Sequence, residues 1–264
     1  MDLRIAEEHF HISTKGSEAP LYSIAATDIL QHEKMLELLQ RGSVLVKGIG
    51  LELAVSFLGL AYFGLAATKQ FVMSRYNRVL DLSLENLTIQ LQSSGDYAQA
   101  VFKLKELKWT ELPANDRETA LLAEWKHYFE ETMNPLIEAT AGSAGFKPAM
   151  IWNQYGARMS YTMDYLRSHA AEGSARQLLE EDFLLLSSLP AETFNLRRKN
   201  PFDHTPCYID SPYQPGNQIM IRSSCCMYYR RENGVKCYNC PLLKDEERAE
   251  MKLKIEADRQ GQSA

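Results

Sequence analysis

Four of the five cysteines fall inside one sixteen-residue window, Cys225-Cys226-Met-Tyr-Tyr-Arg-Arg-Glu-Asn-Gly-Val-Lys-Cys237-Tyr-Asn-Cys240, with Pro241 directly after it. Thiolates are preferred ligands of zinc and of iron–sulfur clusters, so this window reads first as a metal site. Spacing separates the candidates. A zinc ribbon brings its cysteines as two chelating pairs with two to four residues inside each. Cys237 and Cys240 make such a pair, but Cys225 and Cys226 are neighbours. In extended chain, neighbouring side chains point to opposite faces, so both reach one ion only through a strained turn. A two-iron cluster is larger and relaxes that demand. Zinc, and free or redox-active thiols, stay open on the residues alone.

The stretch between the pairs predicts one compact site. Asn233-Gly234 is a strong signal for a two-residue type I′ hairpin turn. With Glu232 and Val235 flanking it, the antiparallel register pairs Arg230 with Cys237 and Met227 with Cys240. Cys226 then lies next to Cys240, and the four sulfurs converge at the open end. Pro241, which has no amide donor, ends the pairing.

The pattern C-C-x10-C-x2-C, with Tyr228-Tyr229 after the vicinal pair and Pro after the last cysteine, resembles the signature of the FhuF-like ferric-siderophore reductases. The resemblance implies that Cys225, Cys226, Cys237 and Cys240 bind a 2Fe–2S cluster. It also implies reduction of a ferric hydroxamate or citrate-hydroxamate complex, with electrons from a donor such as a ferredoxin or flavin reductase. Two upstream elements, Ile151-Trp152-Asn153 and Asn200-Pro201-Phe202, are similar to family motifs that precede the cluster.

Net charge is −5, which leaves no global footprint for nucleic acid. Its distribution is uneven. Residues 190–240 hold seven Lys/Arg against four Asp/Glu, so a locally positive segment surrounds the cysteines in a negative chain. Arg222, Arg230 and Arg231 are the candidate substrate-binding residues there. They can attract an anionic complex or electron donor, or simply balance thiolate charge. Clustered cysteines and a charged N-terminus without an apolar core place the chain in the cytoplasm, free or held peripherally at the inner face of the cell membrane.

Along the chain, residues 1–20 read as a short helix or an arm, in which His9 and His11 are weak chelators. Ile29, Leu30, Met35, Leu36, Leu38 and Leu39 predict an amphipathic helix over Asp28–Gln40, capped by Thr27 or Asp28 and stopped by Gly42. Ile49 to Ala67 is almost wholly apolar, with Glu52 its sole charge. Length alone tempts a membrane-spanning reading, but Glu52 and three glycines favour a central buried helix, or two broken near Gly59. Gly48-x-Gly50 mimics a dinucleotide fingerprint whose third glycine is replaced by Leu53.

Helical spacing is then read over Asp81–Gln92 and Asp96–Leu107, separated by Ser93-Ser-Gly95. Further helices are expected from Asn115 or Asp116 toward Asn134, from Pro135 to Gly142, from Lys147 through Leu166, and over Arg176–Ser187. Pro and Gly punctuate the chain after Pro190, with a short β-like stretch at Ile219–Ile221. A charged helix over Leu242–Ala257 offers Met251, Leu253 and Ile255 for docking, before a frayed end.

The fold class expected is therefore mainly α, with α+β character. A helical siderophore-binding domain over 1–189 precedes an irregular iron–sulfur region over 190–264 that contains a short β-hairpin. No catalytic triad, phosphate loop or paired-carboxylate site stands out, so hydrolase and kinase chemistry is disfavoured. Two alternatives to the reductase remain: a zinc-holding protein without enzymatic activity, and a siderophore-binding module related to siderophore synthetases.

Overall fold

A computed structural model of the chain describes residues 1–94, 97–170, 173–195 and 197–262. Gly95 and Asp96, at the expected break between two helices, lie outside the described residues, as do Ser263 and Ala264 of the expected frayed end. The chain opens with α1 (Arg4–His9), β1 (Ile12–Ser13) and β2 (Tyr22–Ala25). A 3-10 turn over Asp28–Leu30 leads into α2 (His32–Leu45), so the amphipathic helix forms but starts after Gln31. Gly42, the expected stop, lies buried inside it. A side chain there would meet Ala54 of the next helix, and the helix ends instead where Lys47 turns left-handed.

The apolar run builds α3 (Glu52–Tyr76), one helix that is unbroken at Gly59 and buried on every side. A helix apolar all round belongs in a core or a membrane. α3 is long and apolar enough to cross a membrane, but 89% of its most apolar window is covered by the protein itself. At Gly64 the covering is so close that any Cβ would collide with the Phe10 carbonyl, where the N-terminal segment crosses the helix. Asn77, left-handed at φ 54°, caps the far end.

Next come β3 (Arg78–Leu80), β4 (Leu87–Ser94), β5 (Tyr97–Leu104) and β6 (Trp109–Glu111). This overturns the two helices expected over Asp81–Gln92 and Asp96–Leu107. Leu80, Leu84, Leu87 and Leu91 recur at the spacing of a helix face, which is why the stretch resembles one. The same stretch alternates with period two, and Leu87, Ile89 and Leu91 face the core opposite Leu104, Phe102 and Ala100. The sheet order is β1-β5-β4-β2, parallel only between β1 and β5, while β3 and β6 form a separate ribbon.

The helical tail of this body forms where helices are expected, except that the one helix read from Lys147 through Leu166 is split at Asn153-Gln154 into two. It comprises α4 (Arg117–Tyr128), a π turn over Phe129–Met133, α5 (Asn134–Ser143), α6 (Ala149–Trp152), α7 (Tyr155–His169) and α8 (Ser174–Ser188). Trp152, Tyr155, Met159, Met163 and Leu166 are all buried, as their spacing predicts. Phe129 stacks on Trp125 and meets Phe194 at 4.7 Å and Phe202 at 5.8 Å between ring centroids. Phe202 of the Asn200-Pro201-Phe202 element is thus part of the main core. Asn200 holds it there, donating to the Leu186 and Leu189 carbonyls and accepting from the Phe202 amide.

Beyond this lie β7 (Tyr208–Asp210) and β8 (Gln218–Met220), an antiparallel hairpin, then the cysteine loop and α9 (Asp245–Gln262). A second, small apolar cluster of Cys225, Cys240 and Leu243 is covered by Met227, Tyr229 and Met251. Of the docking residues expected on α9, Met251 packs there, whereas Leu253 is 69% exposed.

Candidate functional site

The cysteine loop is held by backbone and side-chain hydrogen bonds, both within itself and to the rest of the protein. Ile221 continues the hairpin through the Cys207 carbonyl at 2.8 Å, and Arg222 donates its amide to Asn239 O at 3.0 Å. Asn239 answers from its side chain to Met220 O at 3.0 Å, which brings the two cysteine pairs together. Ser223 Oγ donates to Asn153 O and accepts the Ala157 amide, docking the loop where α6 meets α7. Ser56 Oγ of α3 lies 2.8 Å from the Cys226 carbonyl. The Trp- and Asn-containing element around residue 153 therefore touches the cysteine loop directly.

The loop does not fold as a hairpin on itself. A type I′ turn needs both central residues left-handed. Only Asn233 is, at φ 55°, and the Gly234 amide instead closes a turn onto Arg231 O at 2.9 Å. Gly234 is needed for closeness, since a Cβ would stand 2.6 Å from the Tyr228 carbonyl. The would-be first strand pairs elsewhere. Ile49 donates to Arg230 O and Glu232 to Lys47 O, so the segment bridges to the α2–α3 connection. The register predicted from Asn233-Gly234, with Arg230 opposite Cys237 and Met227 opposite Cys240, is absent; the short hairpin of this region is β7–β8.

The sulfurs form two pairs, differently composed from that register. Cys225 and Cys240 are buried, with sulfurs 3.6 Å apart. Cys226 and Cys237 are half-buried and share a thiol–thiol hydrogen bond. That bond from Cys237 pulls Cys226 down to about 5 against its burial, with help from the Arg222 charge. Donating it holds Cys237 well above the thiol range. Burial pushes Cys225 up to about 11. All four cysteines line one small recess with Arg222, Tyr228 and Tyr229. Cys207 is exposed and His204 packs on Gly156; neither lines that recess.

The family model described as a ferric iron reductase FhuF-like transporter matches residues 59–208, more than half of the chain. A second, described as the FhuF 2Fe-2S C-terminal domain, matches residues 222–242, which contain all four clustered cysteines. This chain belongs to the FhuF-like ferric iron reductase family. No curated protein matches it.

The cofactor of this FhuF-like C-terminal domain is a 2Fe–2S cluster, and the thiol geometry fits one. Two thiolates on a single tetrahedral metal, each at about 2.3 Å, stand about 3.8 Å apart. The Cys225–Cys240 separation is close to that. Among the described residues no three His, Cys, Asp or Glu side chains converge to hold one ion. Two pairs, one for each of two metals, suit a binuclear cluster better than a single zinc.

The arginines named from sequence are unequal. Arg230 is held by Glu52 at 2.5 Å, and Arg231 donates to the Tyr228 hydroxyl at 2.6 Å while leaning on its ring. Arg222 makes no salt bridge among the described residues, and its Nε is buried without a partner. Two further arginines are not singled out by the sequence. Arg158 of α7 stands beside Arg222 and within electrostatic range of Cys226. Arg248 of α9 donates to the carbonyls of Tyr238, Cys240 and Leu243, clamping the backbone of the second cysteine pair. Spacing carries no signal for either, since each is one arginine on a helix until the loop folds against it.

Proposed function

We propose that this protein is a ferric-siderophore reductase in which Cys225, Cys226, Cys237 and Cys240 hold the 2Fe–2S cluster. On this reading Cys225 and Cys240 share one iron, Cys226 and Cys237 the other. The observation that carries it is the division of the thiols into a buried pair and a half-exposed pair inside the 2Fe-2S domain. A cluster of this type supplies a reversible one-electron couple near the surface. The chain's residues do the rest. Leu243, Met251 and Tyr229 shield the buried pair from water, Ser56 and Ser223 fix the loop to the helical body, and Arg248 ties it to α9. The basic rim at Arg222, with Arg230 and Arg231 beside it, favours approach of an anionic complex or donor.

The substrate is a chelated ferric ion, which takes up one electron and leaves as ferrous iron because hard oxygen ligands hold the lower charge less tightly. A ferredoxin or flavin reductase restores that electron. The segment around the cysteines is only modestly positive, and the rest of the chain is negative. That balance favours ferric hydroxamate or citrate-hydroxamate complexes over the highly charged catecholates. We place the reaction in the cytoplasm, with any contact with the inner face of the membrane peripheral and released by salt.

To test the substrate assignment, the anaerobically reduced protein is mixed with ferric hydroxamate or ferric catecholate, and the return of visible absorption is followed with a ferrous trap present. The hydroxamate should reoxidise the protein faster. Faster reoxidation by the catecholate would refute the assignment.

A further inference from the structure

A recess of about 510 Å³ opens between α4 and the β3–β6 ribbon, with Lys69 of α3 in its wall. That volume falls in the roughly 300–1,000 Å³ of pockets that enclose a whole small ligand. It is separate from the cysteines. Ser56, which touches the cysteine loop, and Lys69 stand about 20 Å apart along α3.

The recess holds hydrogen-bond donors that the protein does not use. The Lys69 side chain is only 2% exposed, and its Nζ donates to Glu124 Oε1 at 2.6 Å. An ammonium has three N–H groups. No second acceptor meets Lys69 among the described residues. The Tyr128 ring lies 4.8 Å from the same Nζ, and its hydroxyl is buried without a partner. Burial holds that phenol well above its ordinary range, so it stays protonated and able to donate. A π turn follows Tyr128 at once and brings Thr132 into the same wall. Such turns within helices recur at functional sites.

Spare acceptors stand beside these donors. Asp81 Oδ1 takes the Ser83 amide at 3.1 Å, and no hydrogen bond reaches Asp81 Oδ2 or Glu124 Oε2 among the described residues. Both carboxylates help to hold the charge on Lys69 against its burial. Two lysines, Lys69 and Lys108, and two carboxylates, Asp81 and Glu124, line the recess, so a ligand with net charge of either sign meets repulsion there. Val79, Leu82 and the half-exposed Trp109 supply an apolar side.

We infer that this recess is a binding site for a small zwitterion, a free α-amino acid with an apolar side chain. Its carboxylate takes the spare donors of Lys69 and Tyr128, and its ammonium meets Glu124 and Asp81. Lys69 and Glu124 are adjacent opposite charges, and an α-amino acid carries its own two charges on neighbouring carbons. The two pairs can therefore lie head to tail, with the ligand side chain against Trp109. Buried donors left unmet by the protein are what makes such a site selective, because a ligand lacking the matching acceptor leaves them unpaired.

Isothermal titration of the full-length, cluster-loaded protein with L-leucine, L-methionine and L-phenylalanine tests the site without any redox step. For the one that binds best, three derivatives remove the charges in turn: the amide, the N-acetyl acid and the N-acetyl amide. Each should bind at least tenfold more weakly than the free amino acid. Tyr128→Phe removes only an unpartnered hydroxyl, so the thermal midpoint and the visible spectrum should hold while affinity falls about fivefold. Binding of none of the three amino acids would overturn the inference. So would an N-acetyl amide that binds as tightly as the free amino acid, which would mean an apolar cleft only. Should Tyr128→Phe fail to fold, the derivatives on wild-type protein decide. The result is independent of the reductase reading, which is tested by ferric chelates at the cysteine site.

Discussion

Met227, left-handed at φ 59°, turns the chain straight after the vicinal cysteines and lets each serve a different partner. Neighbouring side chains leave the backbone on opposite faces. That fact counts against two adjacent cysteines on one ion, and it assists two cysteines on two irons. Cys225 points inward to Cys240, and Cys226 stays half-exposed with Cys237. The four cysteines are thus legible in the sequence, but their pairing is not. The pairing depends on where Arg230 and Glu232 find backbone partners, and those lie at Lys47 and Ile49, far away in sequence. Replacing any one of Cys225, Cys226, Cys237 or Cys240 by Ser should abolish most visible absorption. Cys207→Ser should retain it, and the opposite pattern would break the ligand assignment. Arg248→Ala leaves the ligands in place but frees the carbonyls of Tyr238, Cys240 and Leu243. Loss of such a supporting contact typically weakens a metal site by about 10–100-fold. Bleaching by an iron chelator should therefore be faster by about tenfold, whereas an unchanged bleaching rate would show that the clamp is dispensable.

Among the elements, α3 organises the packing, and the composition of its sequence points to that role by itself. An apolar run with one charge near its start has few places to go other than the centre. What the run does not reveal is the closeness of its neighbours. Gly64 touches the Phe10 carbonyl, so Gly64→Ala should force the N-terminal segment off the helix, at a cost of about 1–3 kcal/mol in chemical denaturation. At its far end Ser74 donates to Asp182, which is fully buried and held bidentately by Arg117 at 2.5 and 2.8 Å. Asp182→Asn leaves Arg117 without its counter-charge, and removal of one partner of a buried pair costs about 3–5 kcal/mol. A loss below about 1 kcal/mol would mean that water satisfies the guanidinium instead. The β4–β5 hairpin is the element that sequence spacing misassigns. Leucines at spacings of three and four satisfy a helical template, and the alternation of Ile89, Gln90 and Leu91 is the better signal.

At the scale of the whole molecule, the helical body and the cysteine loop are joined through aromatic packing and a few polar ties. Phe202 wedges against Phe129, Tyr155 and Phe194, while Ser223 and Ser56 pin the loop to α6, α7 and α3. Removing a buried Phe side chain costs about 3–5 kcal/mol. Phe202→Ala should therefore lower the thermal midpoint of the whole protein, with loss of colour accompanying unfolding. Colour lost well before unfolding would show that the loop is held independently of that core. On the proposed function, the cluster gives its electron to chelated ferric iron. The most direct measurement is an anaerobic titration of the dithionite-reduced, desalted protein with a ferric hydroxamate, reading visible absorption and trapped ferrous iron together. One ferrous ion should appear for each cluster reoxidised. Full retention of the reduced spectrum with every ferric chelate tried, and no ferrous iron in the trap, would contradict the reductase function itself.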